Sequence, residues 1–116
     1  MSKALLLNRH ILLVEDEYLI AWALQDGLQR SGAHVIGPAA CVEDALALLE
    51  NEPVDGAILD VSLGREKVFA VAEALAARVI PFVFATGYSD LPPKWHHVPR
   101  LEKPVEVASV ALALFG

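Results

Sequence analysis

The chain has 116 residues, the size of one domain built around one core. With 55% apolar and 21% charged residues, its composition fits a compact soluble fold and argues against disorder. A net charge of −6 argues against broad nucleic-acid binding, which needs a basic surface, and suits a site that recruits a divalent cation.

Met1 to His10 carries a three-leucine run that is too short for a signal-peptide core with a cleavage site. No apolar run approaches the roughly 20 residues of a membrane helix, so the cytoplasm is the expected compartment. Short apolar runs at His10–Val14, Val35–Ile36, Ala57–Leu59 and Phe82–Ala85 have the length of strands. Ile11 to Val14 and Ile58-Leu59 are apolar on consecutive residues, as a strand covered on both faces requires. Helical spacing follows most of these runs. The first predicted helix spans Glu17–Arg30 and stops at Ser31-Gly32. Ile20, Leu24 and Leu28 share its apolar face; Tyr18, Trp22, Gln25 and Gln29 share the other. Those two aromatics either form a partner surface or pack under a loop.

The second predicted helix is Val42–Glu50, ended by Asn51-Glu52-Pro53, with Cys41, the only cysteine, read as a small buried or half-buried apolar residue. It can form no internal disulfide and has no cysteine partner for zinc. The third is Glu66–Ala77. Between Ser89 and Pro99, Pro92, Pro93 and Pro99 permit at most a short helical turn. His96-His97 in this stretch reads as a solvated or partner-facing loop, since adjacent strand histidines diverge and no third ligand is evident. A weak strand at Arg100–Leu101 precedes a last helix starting near Val105–Glu106. Val107, Val110, Ala111 and Leu114 form its core face, and Val105, Ala108 and Leu112 leave the outer face nearly apolar as well. The alternation predicts one domain over residues 1–116, a mostly parallel sheet with helices on both faces.

Ligand sites of such sheets form beyond the carboxyl ends of the strands. Glu15-Asp16, Asp60, Thr86-Gly87 and Lys103-Pro104 follow the apolar runs, so three carboxylates, a hydroxyl and an ammonium converge on one rim. Crowded carboxylates raise one another's pKa, and Mg²⁺, a hard ion with oxygen ligands, relieves the conflict. Lys103 is a compact positive charge within reach of the same cluster. An aspartate in such a site can act as a nucleophile towards a phosphoryl group, with metal and lysine offsetting charge on the transferring oxygens.

In this order and spacing, Val14-Glu15-Asp16, Leu59-Asp60, Ala85-Thr86-Gly87 and Lys103-Pro104 resemble the receiver domain of bacterial response regulators over essentially the whole chain. The resemblance implies a three-layer αβα, flavodoxin-like fold with a five-stranded parallel sheet in order 2-1-3-4-5, here with the fourth helix short or absent. It implies phosphorylation at Asp60, with Asp16 a direct Mg²⁺ ligand, Glu15 acting through water and the Ser62 backbone carbonyl a further ligand. Thr86 becomes the switch hydroxyl and Lys103 the lysine of the site. A histidine kinase or phosphotransfer protein is the implied donor, and phosphorylation-dependent binding of an unidentified downstream protein, or relay of the phosphoryl group, is the implied output. Donors typically dock near the first helix, which gives Tyr18, Trp22 and Pro104 a purpose.

Two departures bear on the switch. Receivers usually carry Tyr or Phe three residues before the lysine, where this chain has Arg100, and the fourth helix looks short. Pro81-Phe82-Val83-Phe84-Ala85-Thr86-Gly87-Tyr88 closely resembles the signature of "FAT GUY" receivers. That subgroup lacks the aromatic switch and often consists of single-domain regulators linked to general stress signalling. Tyr88 either covers the site and limits water access or packs on its own loop. Three other readings are a receiver-like binding module without phosphorylation, homodimerisation through the last helix, and a Mg²⁺-dependent aspartyl-phosphate phosphatase. The phosphatase would need an acid where Ser62 stands, and a cap domain.

Overall fold

Consecutive apolar residues along the central strands point alternately to the two faces of the sheet, and each face is covered. In the computed structural model, which describes residues 2–87 and 91–116, β1 (His10–Val14) sends Leu12 and Val14 to one face and Ile11 and Leu13 to the other. β3 (Gly56–Asp60) and β6 (Phe82–Thr86) divide likewise, Leu59 and Phe84 joining the first cluster, Ile58 and Val83 the second. α3 (Val42–Asn51) and α4 (Phe69–Ala77) cover the first face. α2 (Tyr18–Arg30) and α5 (Val107–Phe115) cover the second. Burying each large apolar side chain of this kind contributes about 1.5–3 kcal/mol.

With β2 (His34–Ala39) on one edge and β7 (Arg100–Glu102) on the other, the main sheet runs β2-β1-β3-β6-β7, every pair parallel. Counted over its own five strands this is the expected 2-1-3-4-5 order of a flavodoxin-like three-layer fold. After β6, the described part of the proline-rich stretch holds one 3₁₀ turn, Pro93–Trp95. Trp95 is buried there against Phe69, Phe82 and Phe84, with ring centroids 6.5, 5.9 and 6.1 Å away. This aromatic contact anchors the described part of the stretch to the sheet face.

Three elements differ from expectation. The third predicted helix begins at Phe69 rather than Glu66, because Glu66–Lys67 (β5) pairs antiparallel with Ser62–Leu63 (β4) in a small hairpin. Gly64, at φ 60°, makes its turn. A short helix, α1 (Ser2–Leu6), precedes β1 and buries Leu6 in the α2–α5 cluster with Leu5 packed beside it, while Leu7 stays exposed. Val105, expected on the outer side of the last helix, packs against that cluster before the helix begins, while Leu112 and Ala108 stay exposed. Tyr18 and Trp22 are 78% and 57% exposed, which removes the reading that they pack under a loop. Cys41 is half-buried. Among the described residues, no helix is long and apolar enough to cross a membrane.

Candidate functional site

Parallel register brings the carboxyl ends of the strands to one rim. Val14 is level with Leu59, Asp60 with Ala85, and Thr86 with Glu102, one residue before Lys103. Glu15, Asp16 and Asp60 each present a carboxylate oxygen within 4.8 Å of the other two. Lys103 Nζ lies 3.1 Å from Glu15 Oε1 and 3.1 Å from Asp60 Oδ2. Thr86 is buried at the same rim, and a cleft of ≈ 420 Å³ is lined by Asp16, Asp60, Ser62, Thr86, Gly87 and Lys103, among others. A side-chain carbon at Gly87 would meet no atom of the described residues within 4 Å.

Backbone donors fix the acids. The Glu17 N–H donates to Glu15 Oε2 at 3.1 Å and the Ser62 N–H to Asp60 Oδ1 at 3.3 Å. The Gly64 N–H donates to Asp16 Oδ2 at 2.9 Å, which ties the hairpin to the acidic pair. Lys67 Nζ donates to Ser62 Oγ at 3.1 Å, and Glu66 Oε1 accepts from the Val42 N–H at the start of α3 at 3.2 Å. The apolar pattern of the chain gave no sign of these hairpin contacts.

Electrostatics sort the groups. Burial, then the hydrogen bond to Asp60, pushes the Glu15 carboxyl up from 4.5 to about 7. Burial works against the Lys103 charge, but hydrogen bonds to Asp60 and Glu15 outweigh it and hold the ammonium above its ordinary 10.5. Glu15 Oε1 is buried and, although within ion-pair distance of Lys103, lacks a hydrogen-bond partner of good geometry. Three carboxylates gathered this closely, one with a buried oxygen satisfied only by an ion pair, fit a hard divalent cation. Among the described residues this is the one group of three such ligands; His96 instead contacts the Leu91 carbonyl oxygen at 2.7 Å.

Not every expected residue joins the cluster. Arg100 lines a separate cleft with Leu91, His96 and Val98. Tyr88 lies outside the described residues. Pro104 and Lys103 border an apolar groove of ≈ 470 Å³ whose other wall is Leu19, Ile20, Ala23 and Leu24 of α2. Leu19 is 77% exposed there and extends the Tyr18–Trp22 face, a contribution the two-face reading of the helix missed.

The sequence profile of the response regulator receiver domain matches residues 11–98. The chain belongs to the response regulator receiver family. Receiver domains are signalling modules of two-component systems that bind Mg²⁺ in an acidic pocket and interact with histidine kinases and phosphotransfer proteins. The transcriptional regulatory protein PdtaR of Mycobacterium tuberculosis is 33% identical over 83 residues, covering 71% of this chain but 40% of PdtaR. The chain therefore spans about two-fifths of the length of that relative. The solution structure of SdrG from Sphingomonas melonis Fr1 is 49% identical, with TM-score 0.81 and 93% of each chain covered. A Burkholderia pseudomallei response regulator solved with a phosphorylated aspartic acid, calcium ion and citrate is 25% identical, with TM-score 0.81 over 92% of this receiver and 66% of that chain.

Proposed function

We propose that this receiver accepts a phosphoryl group on Asp60 from a histidine kinase or histidine phosphotransfer protein and signals by phosphorylation-dependent partner binding or onward relay. The observation that carries the reading is the meeting of Glu15, Asp16 and Asp60 within 4.8 Å, with Lys103 at 3.1 Å from two of them. An Asp60 carboxylate oxygen forms a bond to phosphorus while the phosphorus–nitrogen bond to the donor imidazole breaks and its electron pair returns to the ring, leaving an aspartyl phosphate. Lys103 holds positive charge beside the developing phosphoryl oxygens. Thr86, at the end of β6, donates its hydroxyl to the phosphoryl group once bound, and this bond drives the switch. Asp16, Asp60 and the Ser62 backbone carbonyl would hold Mg²⁺, with Glu15 acting through water. When bound, that cation offsets carboxylate repulsion and phosphoryl charge. These groups assist the domain's own phosphorylation and dephosphorylation and turn over no separate substrate.

The phosphorylated aspartic acid of the Burkholderia relative supports this chemistry. The exposed Tyr18–Trp22 face and the groove beside Pro104 support docking of the donor there. Arg100 in place of an aromatic, and Pro81 to Tyr88, support assignment to the FAT GUY subgroup, whose members are often single-domain regulators linked to stress signalling, with the cytoplasm as the compartment. Residues 1–116 constitute the receiver in this reading. The test is the amide spectrum with Mg²⁺ and beryllofluoride: shifts at Thr86 and Gly87 are expected in wild type and none in Asp60→Asn. Unchanged wild-type spectra would favour a binding module without phosphorylation.

A further inference from the structure

At the end of β1 remote from the carboxylate cluster, His10 and His34 oppose each other across the β1–β2 pair. Their parallel register puts both side chains on the same face of the sheet. The two imidazoles stack with centroids 4.9 Å apart and planes 20° from parallel. Asp55, just before β3, fixes one of them: its Oδ2 accepts from the His10 backbone N–H at 2.7 Å and lies 3.2 Å from His10 Nδ1. An ionised carboxylate only accepts, so Nδ1 carries the hydrogen and the Nε2 lone pair is left for a ligand. β2 is an edge strand, His34 is exposed and His10 half-buried, so the pair opens to solvent. The phosphoacceptor chemistry uses none of these three residues.

We propose that His10 and His34 form a two-histidine chelate for a transition-metal cation of the Zn²⁺, Ni²⁺ or Cu²⁺ class. Asp55 acts as the positioning residue for His10, and water fills the remaining positions. A carboxylate that orients a metal-binding histidine through its second nitrogen is the usual support for such a ligand. Two nitrogens about 2.0–2.1 Å from one tetrahedral ion stand roughly 3.3 Å apart, so binding requires the stacked rings, with centroids 4.9 Å apart, to tilt until their lone pairs converge. Imidazole nitrogen prefers these ions and carboxylate oxygen prefers Mg²⁺, so the two ends of the sheet sort cations by ligand type. A bound ion would tie the edge strand to the sheet centre and stabilise the fold by mass action.

The experiment is isothermal titration of the full chain with Zn²⁺ at neutral pH, Mg²⁺ in excess occupying the acidic cluster, with melting temperature as the second readout. One saturable site and a rise in melting temperature are expected. Both should vanish in His34→Gln and in His10→Gln, whose melting temperatures without zinc report whether they fold. Asp55→Asn should weaken binding by roughly 10- to 100-fold. The double variant His96→Gln with His97→Gln should bind as wild type. Binding that survives in folded His34→Gln, that disappears with His96 and His97, or that is absent from wild type overturns the proposal.

Discussion

Glu15 Oε1 is buried without a well-formed hydrogen bond, and the carboxyl to which it belongs is pushed up to about 7. Between the ordinary 4.5 and about 7, the folded protein binds a proton that the unfolded chain has released. The contribution of Glu15 to stability therefore falls as pH rises through that window. Glu15→Gln removes the decline. Without divalent cations, urea unfolding should show the variant gaining on wild type from about pH 5 to about pH 8. Parallel pH profiles for the two proteins would contradict the charge-crowding account. Asp55 has the opposite sign: the His10 N–H bond, outweighing burial, holds its carboxyl below the ordinary 3.8. Its stabilisation is present above the ordinary value and is lost as pH falls through the lower folded one. Asp55→Ala should cost about 1 kcal/mol near neutrality, a figure reduced for the solvent exposure of the pair, and less in acid. A cost independent of pH in denaturant titrations would argue against it.

Among the elements, α2 carries the proposed docking face and the 3₁₀ turn contributes packing. Tyr18, Leu19 and Trp22 leave an apolar strip exposed on α2, next to the groove bounded by Pro104. Trp22→Ala should lower the efficiency of phosphotransfer from a protein donor roughly 30-fold, as truncating an interface aromatic buried on docking costs about 2 kcal/mol. It should leave labelling by acetyl phosphate unchanged. Equal loss with both donors would mean that Trp22 supports the site rather than the docking. Trp95 buries its ring among Phe69, Phe82 and Phe84, and Lys94 pairs with Glu73 of α4 at 2.5 Å. Trp95→Ala should cost about 3–5 kcal/mol by denaturant unfolding; a loss below about 1 kcal/mol would show that the turn is not what closes this face.

For the molecule as a whole, the sheet and the rim of chemistry were legible because both follow from local pattern. Ile11 to Val14 and Ile58-Leu59 are apolar on consecutive residues, which only doubly covered strands tolerate. Glu15-Asp16 and Lys103 stand just past strand ends and Asp60 and Thr86 are the last residues of theirs, where parallel topology must gather them. The β4–β5 hairpin was not legible, since the bonds that hold it join Glu66 to Val42, Lys67 to Ser62 and Gly64 to Asp16. The longest of these spans 48 residues of chain. α1 escaped notice for a similar reason: a five-residue helix has little propensity of its own and rests on burial of Leu6.

The central claim is that Asp60 takes up a phosphoryl group with the help of Mg²⁺. Its most direct test is the intact mass of the protein after incubation with acetyl phosphate. The account predicts the gain of one phosphoryl group in wild type, dependent on Mg²⁺ and absent from Asp60→Asn. A gain that persists in Asp60→Asn, or no gain together with no response to beryllofluoride, would contradict it.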